Sequence, residues 1–123
     1  MFRNAGTHGD NRIIPGPAAD ATATPSITID DLCDRERLAP DVIKIDIEGS
    51  ELSALRGARR TIAERGPSMA LFVELHPSTW PSLGISRADI EAELRQQKLT
   101  MEGLPGIADP WSMEGVCVRL RMA

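Results

Sequence analysis

Short apolar runs, separated by glycine, proline and charged residues, recur along this chain, and two of them predict neighbouring strands. The runs are Val42–Ile47 and Met69–Leu75, and the segment between them has apolar residues at helical spacing. Gly66-Pro67 is expected to end that helix, because glycine accepts a left-handed backbone and proline cannot continue a helix. Met69–Leu75 is apolar almost throughout, which is typical of a parallel strand buried on both faces. Strand, helix and strand span about 35 residues, the length of one βαβ unit.

The chain before Val42 is interpreted as a loop-rich segment followed by one helix. Residues 1–26 are rich in Gly, Pro, Ala and Thr, so we treat them as a loop-rich N-terminal segment and residues 27–123 as one domain. Ile27–Ile29 alternates with a polar residue and predicts a short strand. Asp30 then predicts the N-cap of a brief helix.

After the second strand, the pattern predicts one helix and two further strands. Ser86 and Asp89 match a capping box, and the helix that they open is expected to end near Lys98. Leu99–Glu102 and Val116–Leu120 then predict an antiparallel hairpin, with the last strand near a sheet edge. The order β-α-β-α-β-β therefore predicts an α/β fold with a parallel βαβ unit, a helix and a C-terminal antiparallel hairpin.

The composition narrows the class of protein. A chain of 123 residues with 41% hydrophobic residues suffices for one domain, and a net charge of -4 does not suggest a nucleic-acid surface. No apolar run approaches the ~20 residues that span a bilayer, so we predict no membrane contact. Cys33 and Cys117 lie far apart and outside any metal-type spacing, so we interpret them as reduced thiols of a cytoplasmic protein.

Acidic and histidine side chains follow both predicted strands. Asp46 and Glu48 lie at the end of the first strand, and Glu74 and His76 lie at the end of the second. Residues two apart on a strand point to the same face, and the carboxyl ends of adjacent parallel strands share one edge of the sheet. We therefore expect the four side chains to meet, and we take them as candidate catalytic residues. Lys44 lies on the same face and is a candidate ion-pair partner for Asp46.

Several roles remain open for these four groups. They can act as a general acid or base, orient a substrate hydroxyl, or bind a cation. Asp-x-Glu and Glu-x-His are not specific metal spacings, so we assign no metal ligand from the sequence. The structural alternative is that the carboxylates only accept backbone N–H groups at helix N-termini. A metal-dependent hydrolase is a further hypothesis, supported by residue types alone.

Four stretches together resemble the FkbM family of S-adenosylmethionine-dependent methyltransferases. They are Ile27–Leu32, Ile43–Glu51, Leu55–Ala58 and Val73–Pro77. The resemblance implies a Rossmann-like methyltransferase sheet and methyl transfer from S-adenosylmethionine to a small-molecule acceptor, usually a hydroxyl of a sugar or secondary metabolite. It also implies that Asp46 and Glu48 face the reaction site, with Asp46 as the base or the group that orients the acceptor. Glu74 and His76 would line the acceptor side.

One feature that the family implies is missing from the sequence. Such enzymes hold the cofactor on an acidic, glycine-rich turn after the first strand, because glycines let the backbone approach the ligand closely. Here Gly6 and Gly9 follow no buried strand, so we assign no cofactor-binding residue and interpret the chain as the C-terminal half of the family's domain. The alternative to an enzyme is then a non-catalytic remnant that acts through a partner chain. A bare edge on the strand Val42–Ile47 also predicts self-association.

Overall fold

The computed structural model describes residues 2–3, 12–14, 16–19, 21–103 and 105–123 of the chain. Its strands are β1 (Phe2–Arg3), β2 (Arg12–Ile13), β3 (Ala21–Thr22), β4 (Val42–Ile45), β5 (Ala70–Leu75), β6 (Leu99–Gly103) and β7 (Val116–Met122). Its α-helices are α1 (Ile29–Glu36), α2 (Glu51–Arg56), α3 (Arg59–Arg65) and α4 (Arg87–Gln96), with short 3-10 turns at Gly66–Ser68 and Trp80–Leu83. None of the helices in this part of the chain is long and apolar enough to cross a membrane.

The main sheet of this α/β domain has four strands in the order β4-β5-β7-β6. Strands β4 and β5 are parallel and the other pairs are antiparallel, which confirms the predicted βαβ unit and the predicted C-terminal hairpin. The prediction that the last strand lies near an edge is wrong, because β7 pairs with β5 on one side and with β6 on the other. Val118, in the middle of β7, is completely buried.

A second, smaller sheet lies in the N-terminal segment. It has the order β2-β1-β3, with antiparallel pairs throughout, and each of its strands is two residues long. Gly6 and Gly9 lie outside the described residues. The division of the chain into residues 1–26 and 27–123 stays a prediction.

Thr28, and not Asp30, is the N-cap of α1. The Thr28 hydroxyl accepts a backbone N–H of the first turn at 3.0 Å, so the predicted strand at Ile27–Ile29 is wrong: the chain there enters the helix. The Asp30 carboxylate instead accepts the backbone N–H groups of Arg60 at 3.0 Å and Thr61 at 2.8 Å, in the first turn of α3. Burial raises the pKa of Asp30, but the hydrogen bonds from Thr61 and Arg60 outweigh it and hold that pKa below its usual value.

The segment between β4 and β5 forms two helices where the pattern predicted one. The break falls at Gly57, whose carbonyl accepts the backbone N–H of Asp30 at 2.8 Å. Thr28 packs so closely there that a Cβ on Gly57 would lie 3.2 Å from it. Gly66 ends α3 with a φ of 46°, as predicted. The apolar face predicted for the segment is buried, and it consists of Leu52, Leu55, Ala58 and Ile62.

One face of the main sheet packs into the core, and the opposite face stays partly exposed in the described part of the chain. The β5 residues buried in the core are Leu71, Val73 and Leu75. Phe72 and Glu74, which alternate with them, are only half-buried. The prediction that this strand is buried on both faces is therefore wrong. Glu74, one of the four candidate site residues, lies on this half-exposed face.

Two further predictions are confirmed, one at α4 and one at the cysteines. Ser86 and Asp89 form the predicted capping box of α4: the Ser86 hydroxyl accepts the Asp89 N–H at 3.3 Å, and the Asp89 carboxylate accepts the Ser86 N–H at 2.8 Å. Cys33 and Cys117 are both free thiols.

Candidate functional site

The four predicted side chains lie close together at the carboxyl ends of β4 and β5. One side-chain ligand atom each of Asp46, Glu74 and His76 lies within 4.8 Å of the other two. Glu48 joins them through His76, whose Nε2 lies 3.6 Å from Glu48 Oε1. We call these four residues the acid–histidine cluster. Their catalytic role stays a prediction.

Asp46 and Glu48 reach the cluster from a turn and not from a strand. The expectation that they share one strand face is wrong, because β4 ends one residue before Asp46. Glu48 has a φ of 53° and Gly49 a φ of 105°, both in the left-handed region. Such a backbone at a non-glycine residue costs on the order of 1–3 kcal/mol and is concentrated at functional sites. A side chain at Gly49 would collide with Thr79, so this turn requires glycine.

His76 is positioned from behind by Glu51, a buried carboxylate whose role was not evident from the sequence. Glu51 is 0% exposed, and its Oε1 lies 2.9 Å from Nδ1 of His76. The same carboxylate accepts the backbone N–H of Gly49 at 2.8 Å and the indole N–H of Trp80 at 2.8 Å. The imidazole is therefore fixed with its Nε2 directed into the acid–histidine cluster.

The surroundings of His76 favour its protonated form. Burial lowers the pKa of His76, but the hydrogen bond with Glu51 and the negative charges of Glu48 and Glu114 outweigh it and raise the pKa above its ordinary value. His76 therefore holds a proton more tightly near neutral pH than an exposed histidine does. A histidine can both accept and donate a proton in catalysis, so this imidazole is suited to proton transfer.

Lys44 contacts the cluster from the half-exposed face of the sheet. Its Nζ lies 2.9 Å from Asp46 Oδ2, which confirms the expected pair, and 3.4 Å from Glu74 Oε2. The hydrogen bonds that Lys44 donates, first to Asp46 and then to Glu74, raise the pKa of Lys44. Because Lys44 and Asp46 are exposed, the pair contributes little to stability. Its main effect is to neutralise part of the negative charge of the cluster.

A groove of ≈ 450 Å³ lies beside the turn that follows β4. Its volume is within the range of small-molecule pockets. The residues that line it include Ile13, Thr28, Asp31, Ile47, Ser50 and Gly57. The groove therefore runs between the N-terminal segment and α2, next to the backbone that carries Glu48.

The acidic and histidine side chains lie at the carboxyl ends of two parallel strands of an α/β domain, the edge at which open α/β sheets bind ligands. None of the four lines the groove, which meets the same turn at Ile47. The sequence matches the family described as Methyltransferase FkbM domain over residues 3–98, so the chain belongs to that family. The resemblance noted in the sequence is thereby confirmed, and the match includes the whole acid–histidine cluster. No curated protein and no solved structure matches the chain.

The groove has no glycine turn that is clearly open to S-adenosylmethionine. Gly57 lines the groove but a Cβ there would meet the Thr28 side chain, and Gly49 beside it is crowded by Thr79. The glycines considered from the sequence, Gly6 and Gly9, lie outside the described residues. We therefore assign no cofactor-binding residue.

Proposed function

We propose that the chain belongs to an S-adenosylmethionine-dependent O-methyltransferase and that the acid–histidine cluster forms its acceptor side. Membership of the FkbM family supports methyl transfer, and a Rossmann-like sheet is the architecture we infer for the whole domain. The observation that carries the proposal is the convergence of Asp46, Glu74 and His76 within 4.8 Å at the carboxyl ends of two parallel strands. Ligands of open α/β sheets bind at this edge.

Asp46 is the first candidate for the group that contacts the acceptor. Its side chain is 40% exposed, whereas those of Glu48 and Glu74 are 29% and 24% exposed. A carboxylate in this position accepts the hydrogen bond of an acceptor hydroxyl and takes its proton as the methyl group is added. General-base catalysis of this kind contributes typically 10²- to 10⁴-fold to a rate.

The charge of the cluster indicates the class of acceptor. The three carboxylates of the cluster outnumber the two cations beside them, the Lys44 ammonium and the protonated His76, so the cluster stays negative and an anionic acceptor would be repelled. A neutral polyhydroxylated molecule, such as a sugar or a secondary metabolite, offers several O–H donors to these oxygens. We also propose a cytoplasmic location, supported by the free thiols of Cys33 and Cys117.

The alternative is a non-catalytic methyltransferase-like chain that acts only with a partner chain. Its support is that the two glycines near the groove, Gly49 and Gly57, are crowded by the Thr79 and Thr28 side chains. A second observation in its favour is that β4 is an edge of the main sheet. On this hypothesis, the chain carries out no catalysis and acts only by pairing with another chain.

Calorimetric titration of the purified chain with S-adenosylmethionine separates the two proposals. One-to-one binding with micromolar affinity supports the methyltransferase and contradicts the remnant. Adenosine is the matched control ligand, because it lacks the methionine part of the cofactor. No heat of binding and no rise in Tm with S-adenosylmethionine would overturn the methyltransferase proposal for this chain alone.

A further inference from the structure

We propose that Asp46, Glu74 and His76 bind a divalent metal ion. The binding of the ion is inferred from the geometry of these three side chains. Its use, which is to hold the acceptor hydroxyl during methyl transfer, rests on the proposed function above.

The spacing of the three ligand atoms is close to what a single ion requires. Two ligands of one metal ion lie no further apart than twice the metal–ligand distance, or roughly 4.4 Å for bonds of about 2.0–2.2 Å. The ligand atoms of Asp46, Glu74 and His76 lie within 4.8 Å of one another, and Glu74 Oε1 lies 4.0 Å from His76 Nε2. Binding of an ion would therefore draw the three side chains together by a few tenths of an ångström.

The burial and the contacts of the His76 imidazole are a second, independent observation in favour of a metal site. Its side chain is 5% exposed, yet its Nε2 makes no hydrogen bond with any residue that the structure describes. The nearest charged groups are Glu48 Oε1 at 3.6 Å and Glu74 Oε1 at 4.0 Å, which lie in the cluster itself. The other ring nitrogen, Nδ1, is bound to Glu51 at 2.9 Å. Metal-binding histidines share this arrangement, with one nitrogen on the ion and the other on a carboxylate.

The donor set indicates the kind of ion. Two carboxylates and one imidazole suit a first-row divalent ion such as Mn²⁺ or Zn²⁺, whereas Mg²⁺ prefers a shell of oxygen ligands. The negative charge that remains after pairing with Lys44 also favours a divalent cation. Lys44 already forms ion pairs with the Asp46 and Glu74 carboxylates. The metal therefore competes with the ammonium group.

A bound ion would change the roles within the acid–histidine cluster. Coordination to a metal lowers the pKa of a hydroxyl group, so the ion itself prepares the acceptor oxygen. Asp46 then acts as a ligand. Glu48, outside the three ligands and 3.6 Å from His76, is the carboxylate left to accept the hydroxyl proton.

Mn²⁺ binding to the whole chain, measured without S-adenosylmethionine, tests the site. The chain is treated with EDTA, freed of chelator and titrated with MnCl₂ by calorimetry, and pulsed EPR of the bound ion reports a nitrogen ligand. We expect one site with a histidine nitrogen signal. Asp46→Asn should lower the affinity at least tenfold, and Lys44→Met should raise it. Glu64→Gln, an exposed carboxylate on α3, is the control that should leave the affinity unchanged.

Three results would overturn the metal site: no one-to-one Mn²⁺ binding, binding without a nitrogen signal, or unchanged affinity in Asp46→Asn. Glu51→Gln should weaken binding by about 10- to 100-fold, the usual effect of losing the partner of a metal-binding histidine. Because Glu51 is buried and its replacement also affects folding, Asp46→Asn, at an exposed position, keeps the test decisive. Methyl transfer that persists in EDTA without metal binding would overturn the metal site and leave the proposed function standing. Mn²⁺ binding without S-adenosylmethionine binding would support the metal site and overturn the proposed function.

Discussion

Glu51 Oε1 lies 2.9 Å from Nδ1 of His76, and both side chains are buried. The pair joins the first turn of α2 to the residue that follows β5. The same carboxylate binds the N–H groups of Gly49 and Trp80, so three donors depend on one buried side chain. Glu51 thereby positions both the turn that carries Glu48 and the imidazole that Glu48 faces.

Replacing Glu51 by glutamine should destabilise the protein. Glutamine has one acceptor oxygen for three N–H donors, and its amide group faces one of them, so buried hydrogen bonds are lost. Hydrogen bonds to charged groups contribute about 1.5–3 kcal/mol, and we expect a loss of this size in the free energy of unfolding, measured with urea. Glu64→Gln, at an exposed position, should change stability by less than about 0.5 kcal/mol. Equal stability of the two variants would contradict the role given to Glu51.

The stability that His76 contributes should fall as pH rises. The pKa of His76 in the folded state is raised above its ordinary value of 6.5, so the native state binds the proton more tightly than the unfolded state. That contribution is present in full below about pH 6.5 and is lost as pH rises through the folded pKa. The carboxylates that face His76 are Asp46, Glu48, Glu51, Glu74 and Glu114.

The comparison that checks this dependence is the unfolding free energy of the wild type minus that of His76→Gln, measured in EDTA. We expect the difference to shrink as pH rises above about 6.5, the ordinary pKa of histidine. A difference that stays constant or grows over that range would show that His76 is neutral in the folded protein.

The side chain that caps α3 belongs to Asp30, a residue of α1. Replacing Asp30 by alanine should therefore remove the cap of α3. The Asp30 carboxylate accepts two backbone N–H groups of that helix, and loss of such a cap costs typically about 1 kcal/mol. Asp31→Ala is the matched control, because Asp31 is the next residue of α1, is exposed and caps no helix among the described residues. Urea unfolding should show a clearly larger loss for Asp30→Ala, and equal losses would argue against the cap.

The edge of β4 should support weak self-association. In the described part of the chain, β4 pairs only with β5, and Val42 on this strand is 62% exposed. An unpaired, apolar edge is a template for pairing with another chain. Sedimentation should show concentration-dependent dimers that Val42→Lys shifts towards monomer. Met113→Lys, at a loop residue that is 50% exposed, should not have this effect, and a wild type that stays monomeric at all concentrations would contradict the prediction.

The sequence predicts those features of the fold and the site that are set by residues close together in the chain and by the parallel pairing of β4 with β5. Glycine, proline and apolar spacing define the βαβ unit, and the four polar residues at its two strand ends converge once the strands pair. The functions of Glu51 and Asp30 depend on partners 25 and 31 residues away, and no local pattern reports such contacts. Alternation in β7 likewise shows a strand without showing which strands flank it.

Turnover of an Asp46→Asn variant tests the acceptor role of the cluster most directly. The wild type and the variant are incubated with S-adenosylmethionine carrying a labelled methyl group and a panel of sugars and other hydroxyl acceptors, and the Kd for the cofactor is measured alongside. We predict transfer by the wild type, a loss of about 10²- to 10⁴-fold in kcat for Asp46→Asn, and an unchanged Kd. Wild-type turnover in the variant, or a matching loss of cofactor affinity, would contradict this role.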